Sequence, residues 1–513
     1  MGSYKKIIIP VCIIFFMMTG CIWIFKSVEV DNKKPIGQTE SPFKAYLKDG
    51  SIALFQDGAT FGEYIVGRGE IYGPDLQFYS NVDRLDVNKV AAYSVFNEET
   101  NEGTTVGVSL LATAGTIAAT PFLLVAIFGS CPTVYTVEGE PVLRGELFSN
   151  SIAPMLEARD LISLGVEKAD DQYLRLEIRN EALETHYMNH LELIEVKHEE
   201  GSIALPTSRN MVLSLKDFID PVKAKTKSGS DIKDLLSSYD PESKSEAYTF
   251  DGWTTEDYGQ EPAWDYIDLV FPPSEGNTAL HLNLKNSLFS TVLLYDYYLS
   301  GQGINAINWL SKDLATVSEA VALGGFHNKY MGLRVHQHLG GEYQQIVRIP
   351  DVGPVSWKDL AVPLESSGDD SVRVRLSFLA DSWTFKNARL ATSVTEPEIN
   401  TIPVSRVLDA DNNDLSLVTK IQAADDNYLI SYPGQRYFVE YELNGSEDES
   451  KISYLLSGQG YYTEWIREDW IKETRFPDGI EYNSDLIVDA QNRWRQVKPD
   501  LSKRFFNSKV PVQ

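Results

Sequence analysis

The stretch from Thr104 to Thr136 reads TTVGVSLLATAGTIAATPFLLVAIFGSCPTVYT. It follows Gly103 and holds no charged residue. About 25 residues of it, Val106 to Ser130, are apolar or small, enough to cross a hydrocarbon core as a helix. Two readings are open. One is a helix that spans or dips into a membrane; the other is a helix or helical hairpin buried inside the fold. Pro121, Gly107, Gly115 and the Ser and Thr residues lower helix propensity, which lipid-embedded helices tolerate. The flanks bring no Lys or Arg anchor. An amphipathic surface helix is disfavoured because no face is polar enough. An acidic loop, Asn97 to Glu102, precedes the stretch, and Thr133 to Val137 after it is strand-like.

Working back to the start, Lys5 and Lys6 form a positive n-region before an apolar run, Ile7 to Met18. This is signal-peptide layout. Met18-Thr19-Gly20-Cys21 resembles the bacterial lipobox, with Met where Leu is usual. The resemblance implies cleavage after Gly20 and a lipid on Cys21, carried as a thioether diacylglyceryl and labelled by palmitate. Several acyl chains give stable anchoring. The alternative is an uncleaved anchor over Ile7 to Phe25, near the minimum span. Both imply export and membrane tethering. Ile22 after the Cys is not the Asp that retains lipoproteins in an inner membrane, so the outer membrane is favoured in a two-membrane cell.

The 513 residues suffice for two to four domains. With 46 Lys and Arg against 73 Asp and Glu, the net charge is −27. That argues against nucleic-acid backbone binding, which needs a positive surface. Of three cysteines, Cys12 and Cys21 lie in the N-terminal segment, leaving Cys131 without a disulfide partner in the mature chain.

Downstream, turn signals and alternation predict a mainly β chain. Leu174, Leu176 and Ile178 alternate with Arg175, Glu177 and Arg179, a half-buried strand. Val372 to Phe378 alternates the same way, and Gly340-Gly341 marks a hairpin. The expected class is multi-domain, β-sandwich-like modules with an apolar central helix and one or two inserted helices. The division reads 1–20 signal peptide, 21–42 lipidated tether, 43–102 small β-domain, 103–130 apolar segment, 131–225 β-rich domain, 226–248 linker, 249–395 sandwich-like domain, and 396–513 C-terminal β-rich domain. Helices are expected at Ile232 to Leu236, at Ile304 to Leu323 with Leu310, Leu314, Val317 and Val321 inward, and at Tyr461 to Lys472; Thr291 to Leu299 reads as strand. Tyr298-Leu299-Ser300-Gly301-Gln302-Gly303 echoes Leu455-Leu456-Ser457-Gly458-Gln459-Gly460, by duplication or by reuse of a turn.

No catalytic residue is assigned, and binding is favoured over catalysis. Trp253, Tyr258 and Trp264, with Tyr461, Tyr462 and Trp465, are candidate ligand-binding aromatics for a glycan or an envelope protein; core packing is the competing reading. Glu256 and Glu261 would serve a glycan hydrolase only as a close pair. Asp409, Asp411 and Asn413 resemble the start of a calcium loop, the one cofactor considered and a structural one. Asp414 and Lys420 stand where an EF-hand needs Gly and Glu, so that loop is rejected. His186, His190 and His198, and His336 with His338, read as strand-borne polar residues rather than metal ligands.

Ser130-Cys131-Pro132-Thr133-Val134-Tyr135 after an apolar stretch, strands like Leu174 to His198, and Gly460-Tyr461-Tyr462-Thr463-Glu464-Trp465 together resemble a group of bacterial envelope lipoproteins with no known activity. The resemblance implies a cell-envelope lipoprotein, tethered through Cys21 and acting as a binding or structural component; residues 106–130 add a second membrane contact only in the reading in which they span or dip into the membrane. The alternatives are an envelope hydrolase of glycans and a scaffold subunit of a membrane complex.

Overall fold

The computed structural model describes residues 24–28, 43–47, 52–72, 78–99, 132–137, 139–167, 172–237, 247–250, 252–253, 259–306, 309–314, 317–366, 370–425, 427–443, 451–465, 475–476 and 479–512. The lipobox, the apolar stretch 103–130, Cys131, Tyr258 and Glu256 lie outside them. Among the described residues no helix is long and apolar enough to cross a membrane. The chain divides into two compact units, the first within residues 1–119 and the second from 120 onward apart from 466–468.

The first unit is a six-stranded antiparallel sheet. Its strands are β1 (Ile24–Val28), β2 (Phe43–Leu47), β3 (Ile52–Phe61), β4 (Tyr64–Tyr72), β5 (Phe78–Asp86) and β6 (Val90–Glu99), in spatial order β1-β6-β2-β3-β4-β5. Phe43, Ala45 and Leu47 alternate inward, as the two-residue strand period requires. Phe43 is in register with Phe55, and the two rings stack at 4.9 Å. Ile24–Val28, expected within a tether, pairs with β6 along its whole length.

The second unit holds two pairs of sheets, one interrupting the other in sequence. Strands β7 (Thr133–Thr136), β8 (Val142–Glu146), β9 (Ala158–Glu167), β10 (Tyr173–Arg179) and β11 (Glu184–His198) begin the first pair. Ten strands then build the second pair. They are β12 (Ile203–Pro206), β13 (Val212–Ile219), β14 (Lys223–Thr226), β15 (Trp264–Phe271), β16 (Thr278–Asn286), β17 (Leu333–Leu339), β18 (Glu342–Ile349), β19 (Lys358–Leu364), β20 (Val372–Leu379) and β21 (Trp383–Thr395). The chain returns to the first pair with β22 (Glu398–Pro403), β23 (Arg406–Leu408), β24 (Leu429–Ser431), β25 (Arg436–Glu442) and β26 (Lys451–Glu464). In that pair, β23-β25-β10-β7-β8 and β22-β11-β26-β9 share one core, from Leu176 and Val439 to Leu193 and Leu456. In the other, β12-β13-β21-β16-β19 and β14-β15-β20-β17-β18 enclose Leu282, Phe385, Leu269 and Leu376.

The architecture is thus mainly β with several small sheets. The strands after residue 396 do not form sheets of their own: β25 pairs with β10, and β26 with β11 across Glu184 to His198. Strands β12 to β14, expected with 131–225, belong to the second sheet pair.

Three expected elements differ. Thr291–Leu299 is helical, α-helical over Phe289–Val292 and π-helical over Leu293–Leu299. Thr291, Leu293, Tyr295, Tyr297 and Tyr298 are all buried. A helix buried nearly all round has no polar stripe, so its sequence cannot be told from a buried strand by periodicity. The next long helix runs Val317–Tyr330, not 304–323. Its inward residues are Ala320, Leu323 and Phe326, while Val321 is 67% exposed. Gly324 and Gly325 lie inside it. A cost of about 1 kcal/mol per helical glycine is within what packing overrides. Tyr461 to Glu464 is the end of β26 rather than helix. The short helix near 232–236 is Lys233–Ser237.

A C-terminal helix, Ser484–Asn507, is capped by Asn483, whose side chain accepts from the Leu486 N–H. It docks on the second sheet pair through Gln491, which exchanges two 2.9 Å hydrogen bonds with the Ala263 backbone. Trp494 Nε1 donates to Asp381 at 2.7 Å, and Lys498 Nζ donates to both oxygens of the same carboxylate.

Candidate functional site

The loop Pro350 to Trp357 between β18 and β19 is held from both sheet pairs. Asn286, the last residue of β16, accepts from Val352 N at 2.6 Å and Gly353 N at 3.0 Å. Its amide nitrogen donates to Asp351 Oδ1 at 3.0 Å. Glu146, the last residue of β8, accepts from Val355 N at 2.9 Å and Ser356 N at 3.1 Å. Asn150 donates to the Asp351 carbonyl at 2.6 Å. Two buried side-chain oxygens thus satisfy four loop amides, which would otherwise be costly to bury.

One side of this loop forms the wall of a cleft of about 300 Å³. Helical residues Leu293, Leu294, Tyr295, Tyr298 and Leu323 supply an apolar lining together with Met331, Ile152 and Leu156. Its polar lining includes His327, Arg348 and Asp351, together with Glu146, Asn150 and Asn328. Arg348 donates from Nε to Met331 O at 3.0 Å and from Nη2 to His327 O at 2.9 Å, closing the end of the Val317–Tyr330 helix. Tyr298 Oη lies 3.2 Å from His327 Nε2.

Burial, then the nearby Arg348 charge, pushes the His327 imidazolium down to about 4. The ring is therefore neutral at pH 7, able to donate from one nitrogen and accept at the other. Burial raises Asp351 above the ordinary carboxylate range, opposed by Arg348, Asn286 and the Gly332 N–H. A mostly apolar chamber with a few polar groups in its wall suits a small, largely apolar ligand that carries a polar group.

The described members of the aromatic set singled out in the sequence do not assemble into one platform. Trp264 sits on β15 with the Arg334 guanidinium 4.5 Å over its ring. Trp253 carries Arg495 at 3.8 Å and packs on Phe250. Tyr461 and Tyr462 are adjacent strand residues, so they face opposite ways. Tyr461 stacks on Tyr187 at 4.5 Å, whereas Tyr462 lines the cleft and donates to Ser149 O at 3.3 Å. Trp465 Nε1 donates to Thr185 Oγ1 at 2.9 Å. Among the five that are described, only Tyr462 reaches the cleft. Glu261 is exposed.

Asp409 spends its carboxylate on its own loop, accepting from the backbone N–H of Asp411 and Asn413 and from the Asn413 amide, each at 2.9 Å. The result is an Asx-type turn. Among the described residues no group of three His, Cys, Asp or Glu is placed to hold a metal ion. His186 contacts Glu184 at 2.8 Å, His198 lies between Ser202 and Ser453, and His338 packs edge-on to Tyr343.

The cleft was missed in the sequence because its residues come from distant segments. The only local signal is the Pro350-Asp351-Val352-Gly353-Pro354 run, which reads as a rigid loop.

No family model matches the chain, and no curated protein matches it. Among solved structures, the cycloalternan-forming enzyme from Listeria monocytogenes aligns at 8% identity and TM-score 0.17, over 65% of this chain and 31% of its own. The GH31 alpha-xylosidase from Xanthomonas citri aligns at 9% identity and TM-score 0.14, over 85% of this chain and 38% of its own. The structure of infectious bursal disease virus, Gt strain, aligns at 8% identity and TM-score 0.12, over 96% and 94%. The chain spans about a third of the length of the two enzymes. Likeness at this level carries no argument about function.

Proposed function

We propose that this chain is an exported lipoprotein of the cell envelope, tethered through Cys21, whose second unit binds a small, largely apolar ligand that carries a polar group. Each sheet pair of that unit is read as a β-sandwich, and the ligand site sits where the two sandwiches and the helical insert meet. The observation that carries the binding reading is the cleft of about 300 Å³ walled by Leu293, Leu323, Tyr298 and Met331, with His327, Arg348 and Asp351 among its polar lining. A chamber of this size and composition is the common form of a small-molecule site.

The test is titration of the full-length protein in mild detergent with N-phenyl-1-naphthylamine, an apolar dye whose fluorescence rises out of water. Saturable binding at one site per chain, displaced by a medium-chain fatty acid, supports the reading. A linear, unsaturable signal that matches detergent alone rejects it.

A further inference from the structure

The sheet β14-β15-β20-β17-β18 turns one face to the core and the other to solvent. Ile267, Leu269, Val374 and Leu376 point inward. Strand alternation sends Asp268, Val270, Arg373 and Arg375 the other way, and none of these four is buried.

Two rows of side chains cross that outer face. In one, Lys223 on β14, Val270 on β15 and Arg373 on β20 are successive register partners. In the next, Lys225, Asp268, Arg375 and His336 follow one another from β14 to β17. Lys223, Lys225 and Arg373 are exposed and have no ion pair among the described residues. Arg375 is held in place. It donates to the two Asp268 oxygens at 2.7 and 2.8 Å, and its guanidinium lies 4.0 Å from the Tyr266 ring centroid and 4.6 Å from that of Tyr343. His336 registers the local field, since burial and then the Arg334 and Arg375 charges push its pKa down. In a chain of net charge −27, a face with this balance is a place where an anion is drawn in.

The pattern of the rows narrows the anion. Cations two strands apart stand roughly 10 Å from each other, close to the length of a disaccharide. Between Lys223 and Arg373 lies the apolar Val270. Between Lys225 and Arg375 lies Asp268, which repels a second anion but accepts from a hydroxyl. Duplex DNA carries a charge every 1.7 Å or about that, and such a line of charge meets both Asp268 and the acidic remainder of the chain. A sparsely charged, hydroxyl-rich chain meets far less of either. We infer that this face binds an acidic polysaccharide with one anionic group on alternate sugars, laid across β14, β15 and β20 with its charges against Lys223 and Arg373.

The full-length protein in mild detergent is titrated into fluorescently labelled hyaluronate oligosaccharides and followed by anisotropy, with labelled dextran oligosaccharides and oligothymidylate of similar length for comparison. Hyaluronate is expected to bind at least tenfold more tightly than either, and to weaken as salt is raised. Combining Lys223→Gln, Lys225→Gln and Arg373→Gln is expected to weaken it at least tenfold. Combining Lys89→Gln, Arg209→Gln and Lys503→Gln removes the same charge from exposed positions elsewhere and is expected to change it less than twofold. An unfolding midpoint near that of the parent shows that each variant is folded. The inference is overturned if hyaluronate binds no more tightly than dextran, if oligothymidylate binds as tightly, or if the two combined variants lose affinity equally. The apolar ligand reading survives any of those results, since it is read by the dye alone.

Discussion

A Cβ placed on Gly353 would lie 2.1 Å from the carboxyl carbon of Glu146. Gly353 also holds φ at 96°, a left-handed value that L side chains rarely adopt. The Glu146 carboxylate can reach the Val355 and Ser356 amides only because nothing projects from residue 353. Gly353→Ala is therefore expected to destabilise the second unit by about 2 kcal/mol or more, combining steric overlap with left-handed strain. Chemical denaturation monitored by tryptophan fluorescence measures it. A change within 0.5 kcal/mol (about the noise of a surface substitution) would contradict the clamp.

The companion substitution separates charge from hydrogen bonding. Glu146→Gln keeps a carbonyl oxygen for both loop amides, whereas Glu146→Ala leaves two buried N–H groups unmatched. Glu146→Ala is expected to cost about 2–4 kcal/mol, and Glu146→Gln less than half of that. Equal losses would mean that the charge matters more than the acceptor.

Gly324 offers a way to close the apolar cleft without disturbing its walls. It lies within the Val317–Tyr330 helix, lines the cleft, and has open space where a Cβ would go. Gly324→Ala is expected to stabilise the helix by up to about 1 kcal/mol. Gly324→Phe is expected to abolish dye binding while the unfolding midpoint stays near that of the parent. Full dye binding by a folded Gly324→Phe protein would move the ligand site elsewhere.

His327 gives the cleft a pH signature. With a folded value of about 4 against an ordinary 6.5, the unfolded chain binds more protons than the folded one between those limits. Stability contributed by the neutral ring is fully present above pH 6.5 and is lost as pH falls toward 4; the span corresponds to on the order of 3 kcal/mol. Asp351 works in the opposite sense, because its raised pKa favours the fold at low pH and weakens it as pH rises through the folded value. His327→Gln is expected to flatten the stability profile between pH 4 and 6.5. A profile of unchanged slope would show that the titration belongs to another group.

Asp381 ties the C-terminal helix to the second sheet pair. It is 3% exposed and accepts from both Trp494 and Lys498. Burial raises its pKa, opposed chiefly by the Lys498 charge. The Lys498 side chain is 40% exposed, so solvent screens the pair; Lys498→Met is expected to cost about 1–2 kcal/mol, and Asp381→Asn with Lys498→Met together less than the sum of the single changes. A double-mutant cycle by denaturation decides it, with no coupling as the contrary result.

The tether is tested at Cys21. Wild type is expected to take up labelled palmitate and sediment with membranes, and Cys21→Ala to do neither. An unlabelled Cys21→Ala protein that stays in alkaline-washed membranes would place the anchor in an apolar segment instead.

Much of the β architecture was legible because strand alternation is local. Leu174, Leu176 and Ile178 on β10, and Val372, Val374 and Leu376 on β20, carry their burial pattern in consecutive residues. The Gly340-Gly341 hairpin was legible because both glycines take positive φ, 61° and 95°, as the tight turn needs. The helical character of Thr291 to Leu299 was not, since a helix enclosed on nearly all sides loses most of the polar stripe that betrays its period. The described aromatics gave no shared site because composition does not say which face of a strand a ring occupies. Tyr461 and Tyr462 differ only by one position and end in different surroundings.

By itself, the sequence determined the mainly β character, the positions of many strands and the turns between them, each fixed by residues close in the chain. Only the tertiary structure decided that the strands after 396 complete the sheets begun at 133, with ten strands inserted between. It alone brought Glu146, Asn286 and Gly353 to one loop, and Lys223 and Arg373 to either side of Val270. Strand pairing across more than 250 residues, as between Glu184 and Glu464, leaves no local signature. It is selected by burial of whole faces, a property of the assembled sheets rather than of any one segment.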